Sequence, residues 1–334
     1  MFTLIRQRLV MLVFVLFGVS IVTFLISHAI PGDPASALAG PRPSPEVLAS
    51  IREQYGLDKP LPLQYVKYVN DLVHGDLGTS IRSQTPVLGE LLTFFPATLE
   101  LISFAFIFAV LVGIPLGVIA AVKRNKITDY LIRIFAVGGV SIPLFWGGLV
   151  MILIFYARLS WFPASGRLDI ELTSPNPVTN FYTIDSLIAG DMTAFSNSLR
   201  HLAMPAIALG YVQLAFIVRQ VRSSMLETLS EDYYLTGRAN GLEKRFLTIR
   251  YALRNALIPS ITIIGLSFGS LLGGAVVTET IFDWPGMGKF VTESILGRDF
   301  PAIMGFTIII ALAYVLINLV VDLMVYALDP QTRK

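Results

Sequence analysis

Six apolar stretches restrict this chain more than any other feature: roughly Leu9–Ile30, Thr98–Val122, Leu131–Tyr156, His201–Arg219, Leu257–Ile281 and Ala302–Leu328. About 20 residues of helix, rising 1.5 Å each, cross the ~30 Å hydrocarbon layer of a bilayer, and each stretch is close to that length or longer. In lipid every backbone N–H and C=O must be satisfied within the protein, so only helices and closed barrels can span it. Barrel strands alternate polar and apolar residues; these runs do not, so they predict helices. Only 14% of residues are charged and 54% are hydrophobic, where soluble domains carry about 25% charged residues. An all-α, polytopic membrane protein with six transmembrane helices is expected.

The first stretch follows Arg6 and Arg8 and is trailed by Ala37-Leu38-Ala39, as in a secretory signal. Its apolar run is too long for a signal core, so an uncleaved helix is expected. With the N-terminus inside, 15 of the 25 Lys and Arg residues fall on the inner side, although the outer segments are much longer. Both termini are thereby expected in the cytoplasm.

Several chemistries are absent. There is no cysteine, and His28, His74 and His201 are far apart and form no metal-binding pair. No GxxxxGK[ST] string cradles a nucleotide; Gly286-Met287-Gly288-Lys289 lacks both the spacing and the hydroxyl, so ATP chemistry is expected on another polypeptide, and because the loops offer no nucleophile, base and oxyanion set this chain is expected to be non-catalytic. The spans are almost free of ionisable groups: Glu100, Glu279 and Asp322 fall near their ends. Ion-coupled carriers concentrate such groups at mid-membrane, which disfavours a secondary carrier or channel acting alone.

Loops and glycines carry the remaining signals. The outer segment Pro31–Pro96 predicts a turn at Pro31–Pro34 and a helix from Ser44-Pro45 to Gly56 and Asp58. A second helix follows, with Leu63, Val66, Val69, Leu72 and Val73 on one face. A further outer loop runs over Ala157–Ser198. The inner segment Val221–Ala256 predicts a helix opened by a Thr228–Glu231 capping box, with Asp232 in its first turn and Asn240-Gly241 as its stop. A basic amphipathic helix then places Leu242, Phe246, Ile249, Leu253 and Ala256 on one face, lying along the inner headgroups. Gly265, Gly269 and Gly273 form a small-residue stripe, for helix packing or for a face beside the pore that Ser267 and Ser270 make more polar. Ser141, Pro143 and Trp146 are gate candidates in span three, where Pro143 predicts a kink, either static or a hinge.

The stretch Ser223–Pro259, SSMLETLSEDYYLTGRANGLEKRFLTIRYALRNALIP, resembles the peptide-class permeases of binding-protein-dependent ABC importers. So do IPGDPASALAG (Ile30–Gly40), YGLDKPLPLQY (Tyr55–Tyr65), HGDLGTSIR (His74–Arg82), FFPATLEL (Phe94–Leu101), TETIFDWPGMGKFV (Thr278–Val291) and INLVVDL (Ile317–Leu323). The order is shared along nearly the whole chain, and the resemblance is greatest to the B-type dipeptide permeases, including the D-Ala-D-Ala variety. It implies a type I importer permease fold, with residues 1–97 as first helix and outer segment and 98–334 as a five-helix core carrying the inner loop 221–256. It further implies that Tyr234–Gly241 is a coupling helix docking on an ATPase subunit, with Asp232, Tyr234, Thr236, Arg238, Ala239 and Gly241 at the contact. Family members commonly carry alanine where Gly237 stands and lysine where Asn240 stands. Implied partners are a homologous second permease, two ATP-binding subunits holding ATP and magnesium, and an external peptide-binding protein, at the bacterial inner membrane. Related permeases import nickel, glutathione or antimicrobial peptides, so those cargoes stay open.

Overall fold

A computed structural model describes residues 2–29, 44–55 and 58–328. The expected turn at Pro31–Pro34, the Ala37–Ala39 tripeptide, Gly56 and the Arg333-Lys334 tail lie outside the described residues. The elements are helical throughout: α1 (Phe2–Ala29), α2 (Pro45–Tyr55), α3 (Leu61–Val73), α4 (Val87–Val122), α5 (Ile127–Ser141) and α6 (Leu144–Met151), which runs into a π-helical turn, Ile152–Arg158. Then come α7 (Tyr182–Ala189), α8 (Met192–Leu229), α9 (Asp232–Ala239) and α10 (Lys244–Phe246). A second π-helical turn (Leu247–Ala252) leads into α11 (Leu253–Ile281), α12 (Met287–Leu296) and α13 (Phe300–Leu328).

Five of these helices hold a window long and apolar enough to cross a membrane: α1, α4, α8, α11 and α13. The expected third span is instead a broken pair, α5 and α6, bent by 107°. Proline disfavours helical geometry in the residue before it, and Ile142 is extended at φ −89°, ψ 121° ahead of Pro143. The kink expected at Pro143 is therefore a break. Large apolar side chains stay exposed along the spans, among them Phe14, Leu111 and Ile134, as suits a chain whose solvent is lipid.

One compact unit comprises Ala97–Pro285 and the chain from Ile317 on. Its core gathers Ala120 and Ala121 of α4, Ile132 and Ala136 of α5, and Leu214, Val218, Val221 and Met225 of α8. Residues missing a side chain set the α4–α8 distance. A Cβ on Gly210 would stand 2.5 Å from the Ala105 carbonyl oxygen, and one on Gly117 would stand 2.8 Å from Val221 Cβ. The Gly113–Gly117 spacing on α4 thus makes the close crossing that the sequence placed only on span five. Helix α8 is capped by Asp191, whose carboxylate accepts from the N–H groups of Thr193 (3.0 Å) and Ala194 (2.9 Å). Its 38 residues extend about 57 Å, well past both ends of the expected span.

The second unit comprises Phe2–Pro96 and Gly286–Leu316. Val87, Leu91, Met287, Phe290 and Ala302 of this unit are buried in one cluster. Asp299 fixes this cluster: it accepts from Ser80 Oγ (2.5 Å), the Arg82 N–H (3.1 Å) and the Ala302 N–H at the start of α13 (3.3 Å). The face expected for α3 is met only in part, with Val69 and Leu72 half-buried. Tyr65 and Tyr68 turn to α1, with the Tyr65 hydroxyl 2.8 Å from Ser20 Oγ and its ring 5.3 Å from that of Phe24, while Leu63, Val66 and Val73 are exposed. Tyrosine offers apolar area together with a hydroxyl for the polar atoms of a span, which an aliphatic face cannot.

Candidate coupling and pore site

Helix α9 sits between two spans, α8 and α11, and has two unlike faces. Tyr234 is 3% exposed and Gly237 is buried, whereas Asp232, Tyr233, Leu235, Thr236, Arg238 and Ala239 are exposed. The buried face seats on the π-helical turn that precedes α11. The Tyr234 hydroxyl lies 3.4 Å from Thr248 Oγ1, and a Cβ on Gly237 would come within 2.7 Å of Leu247 Cδ2. Tyr234 and Leu247 belong to the same buried cluster as Val221 and Met225 of α8 and Ala120 and Ala121 of α4. Tyr233 also accepts a hydrogen bond from Asn255 Nδ2 of α11, at 3.0 Å. The buried face of α9 is thereby packed into one core with side chains of α4, α8 and α11.

The helix starts later than its sequence signal suggests. Thr228 belongs to α8, and its hydroxyl donates to the Ser224 carbonyl oxygen at 2.7 Å instead of capping α9. Burial of Val221, Met225 and Thr228 holds α8 together to Leu229. Glu231 takes the N-cap position with no side-chain bond, and Asp232 occupies the first turn, near the positive end of the helix dipole. The stop is where it was expected: α9 ends at Ala239, and Gly241 has φ +79°, a left-handed conformation that favours glycine.

The following segment differs from the expected amphipathic helix. Of the expected apolar face, Leu242, Phe246 and Ile249 are exposed, Leu253 is half-buried and Ala256 is buried, and Leu247, Thr248 and Ala252 are buried beside it. A π-helical turn over Leu247–Ala252 interrupts the regular helix in this segment.

Of the pore candidates, Ser141, Pro143, Trp146 and Ser270 are exposed, and Ser267 is half-buried with its hydroxyl bonded to the Ile264 carbonyl oxygen at 2.6 Å. Gly265 and Gly269 face inward, and a Cβ on Gly265 would overlap the Val321 side chain. Gly273 has open space beside it, so the stripe does not continue; the contact is made instead by Gly274, whose Cβ would stand 2.9 Å from Leu209.

The sequence marked Glu100 of α4 only as lying near a span end and did not foresee its partners. Glu100 is 1% exposed and accepts from Arg167 (2.5 Å) and from the Thr183 N–H and hydroxyl (2.9 and 2.7 Å). The Arg167 guanidinium also stacks on the Tyr182 ring at 3.7 Å. In the same loop Asp185 accepts from the N–H groups of Val178, Thr179 and Asn180 and from the Thr179 hydroxyl. Burial pushes the Asp185 carboxyl up, but the Thr179 bonds and the two flanking N–H donors outweigh it and hold the group below its usual range. Glu100 lies 67 residues from Arg167 and 83 from Thr183, and no spacing rule marks such a set.

Two family models cover the chain: "Binding-protein-dependent transport system inner membrane component" over residues 113–334, and the N-terminal region of such membrane components over residues 1–102. The chain is 54% identical over 329 residues to the "Probable D,D-dipeptide transport system permease protein DdpB" of Escherichia coli (strain K12), covering 98% of this chain and 97% of that one. It is 44% identical over 327 residues to the "Dipeptide transport system permease protein DppB" of Alkalihalophilus pseudofirmus, covering 98% of each. Among solved structures, a chain of the MetNI methionine ABC transporter in an inward-facing conformation shares the fold, with a TM-score of 0.52 and 16% identity, over 70% of this chain and 94% of that one. Six hydrophobic segments, a two-faced helix between spans and these full-length matches lead to one assignment: the chain belongs to the binding-protein-dependent transport system inner membrane components, as a non-catalytic permease subunit.

Proposed function

We propose that this permease subunit, with a homologous second permease, forms the membrane path for dipeptides, those with D-residues included, and that α9 couples the path to ATP hydrolysis on separate subunits. The cargo reading is supported by the D,D-dipeptide and dipeptide permeases to which the chain is similar along its length. The observation that carries the coupling reading is the division of α9 into an anchored face, Tyr234 and Gly237, and an exposed one, Thr236, Arg238 and Ala239. Asp232 and Gly241 bound the exposed face, and Tyr234 acts from behind it. ATP and magnesium are held by two ATP-binding subunits, cargo arrives from an external binding protein, and both chain termini are cytoplasmic. Residues 1–97 serve as first helix and outer segment, and 98–334 as the core that carries the inner loop 221–256. Closure of the ATP-binding subunits would draw the two permeases' coupling helices together and switch the path between inward- and outward-facing states.

Variants of the coupling helix in the reconstituted importer test this reading. Arg238→Glu, or Gly241→Pro at a φ that proline cannot adopt, is expected to abolish peptide uptake while membrane insertion persists and nucleotide hydrolysis no longer responds to cargo. Full uptake in both variants would remove α9 from the coupling path.

A further inference from the structure

The groove between α8 and α11 carries amides and hydroxyls. Gln213 Nε2 donates to Ser270 Oγ at 2.8 Å, and Ser270 Oγ donates to the Ser267 carbonyl oxygen at 2.7 Å. Two turns along α8, Gln220 Nε2 donates to Ser224 Oγ at 3.2 Å, and Ser260 Oγ lies 3.4 Å from the same hydroxyl. The two rungs differ in access. Ser224 and Ser260 are buried, so that rung is sealed inside the helix pair. Ser270 is exposed, Gln213 is half-buried, and one turn beyond Ser270 the space beside Gly273 is open.

We propose that Gln213 and Ser270 line the translocation path and that the Gln213 carboxamide exchanges hydrogen bonds with the backbone amides of the passing peptide. The inference rests on the peptide-permease reading given above. A carboxamide offers two N–H donors and a carbonyl acceptor, and one donor is committed to Ser270. Ser270 sits well inside the 19-residue apolar span Ile263–Ile281, so at this depth the remaining groups would go unmet against hydrocarbon. Water or cargo in the path meets them. The rung is neutral, and its donor and acceptor match those of a peptide bond. It can pass a peptide from hydrogen bond to hydrogen bond without the ionic attraction that would trap it, as conduction requires weak and replaceable contacts.

The chain has no cysteine, so a single introduced thiol reports its own surroundings. Ser270→Cys and, as a reference on the exposed apolar face of α4, Leu111→Cys are placed in the complete importer in proteoliposomes. Peptide uptake with ATP is measured first on the unsubstituted importer, because a wild-type importer that moves no peptide would discredit the functional reading and not the rung. A small charged, membrane-impermeant methanethiosulfonate is then expected to modify the Ser270→Cys thiol at least about tenfold faster than the Leu111→Cys thiol, since only a hydrated thiol ionises and reacts, and to block uptake. Equal and slow modification of the two thiols would overturn the proposal, because the rung would then face lipid or a partner helix. Independently, Gln213→Leu is expected to lower uptake about tenfold with nucleotide hydrolysis retained, and Gln213→Asn to recover part of it. Wild-type uptake by Gln213→Leu would also overturn the proposal. Should Gln213→Leu fail to assemble, labelling of the Ser270→Cys importer decides.

Discussion

Arg222 of α8 donates to both carboxylate oxygens of Asp129 at the start of α5, at 2.8 and 2.9 Å, and Asp129 has no solvent exposure. The Asn125 N–H adds a third bond at 3.0 Å, and Arg133 approaches at 3.4 Å. The pair ties the C-terminal part of α8, one element before α9, to the helix that begins the bent third span. Removing one partner of a buried pair strands the other charge, so Arg222→Leu is expected to cost about 3 kcal/mol. The double variant Arg222→Leu/Asp129→Leu should recover most of that loss. Thermal unfolding of the purified complex in detergent would check both.

Gly237 tests how α9 is seated. Its added Cβ would meet the far end of the Leu247 side chain, which can turn aside, and alanine favours a helix by up to ~1 kcal/mol over glycine. Gly237→Ala is expected to keep uptake and to match or raise stability. Gly237→Leu cannot be accommodated against Leu247 and Leu242 and should reduce uptake strongly, with insertion unchanged. Uptake per ATP hydrolysed, compared across the two variants, is the measurement.

Gly210 has no such freedom. The obstacle to a Cβ there is the Ala105 backbone oxygen at 2.5 Å, which cannot move without α4. Gly210→Ala is expected to destabilise the protein by about 1–3 kcal/mol, as overpacking does, read as a lowered unfolding temperature.

These contrasts show which parts of the protein were legible beforehand. Continuous apolar runs marked the spans because the requirement that backbone groups pair within lipid acts residue by residue. The Asn240-Gly241 stop was legible because a left-handed residue is a local demand. The Thr228–Glu231 cap was misread because burial of Met225 and Thr228 extends α8 over it. The inward face of α3 was read only in part because its partner, Ser20, lies 45 residues away and selects Tyr65. The Glu100–Arg167 pair and the Gln213–Ser270 rung join residues 67 and 57 apart, and no periodicity encodes such meetings.

The loop ahead of α8 should respond to acid through Asp185. Its folded carboxyl titrates below the unfolded value near 4, so the stabilisation is complete above that value and is lost as pH falls through the folded one. Limited proteolysis within residues 170–190 should therefore increase as pH is lowered below about 4. Asp185→Asn should make the loop more susceptible already at pH 7 and flatten the dependence.

The central claim is that α9 lies on the cytoplasmic side and meets an ATP-hydrolysing partner there. A single cysteine replacing Arg238, labelled by an impermeant reagent applied to each side of the membrane in turn, examines it most directly. The account predicts modification from the cytoplasmic side alone, and protection once the ATP-binding subunits are bound. Modification from the external side, or a site equally reactive with and without those subunits in a transporting complex, would contradict it.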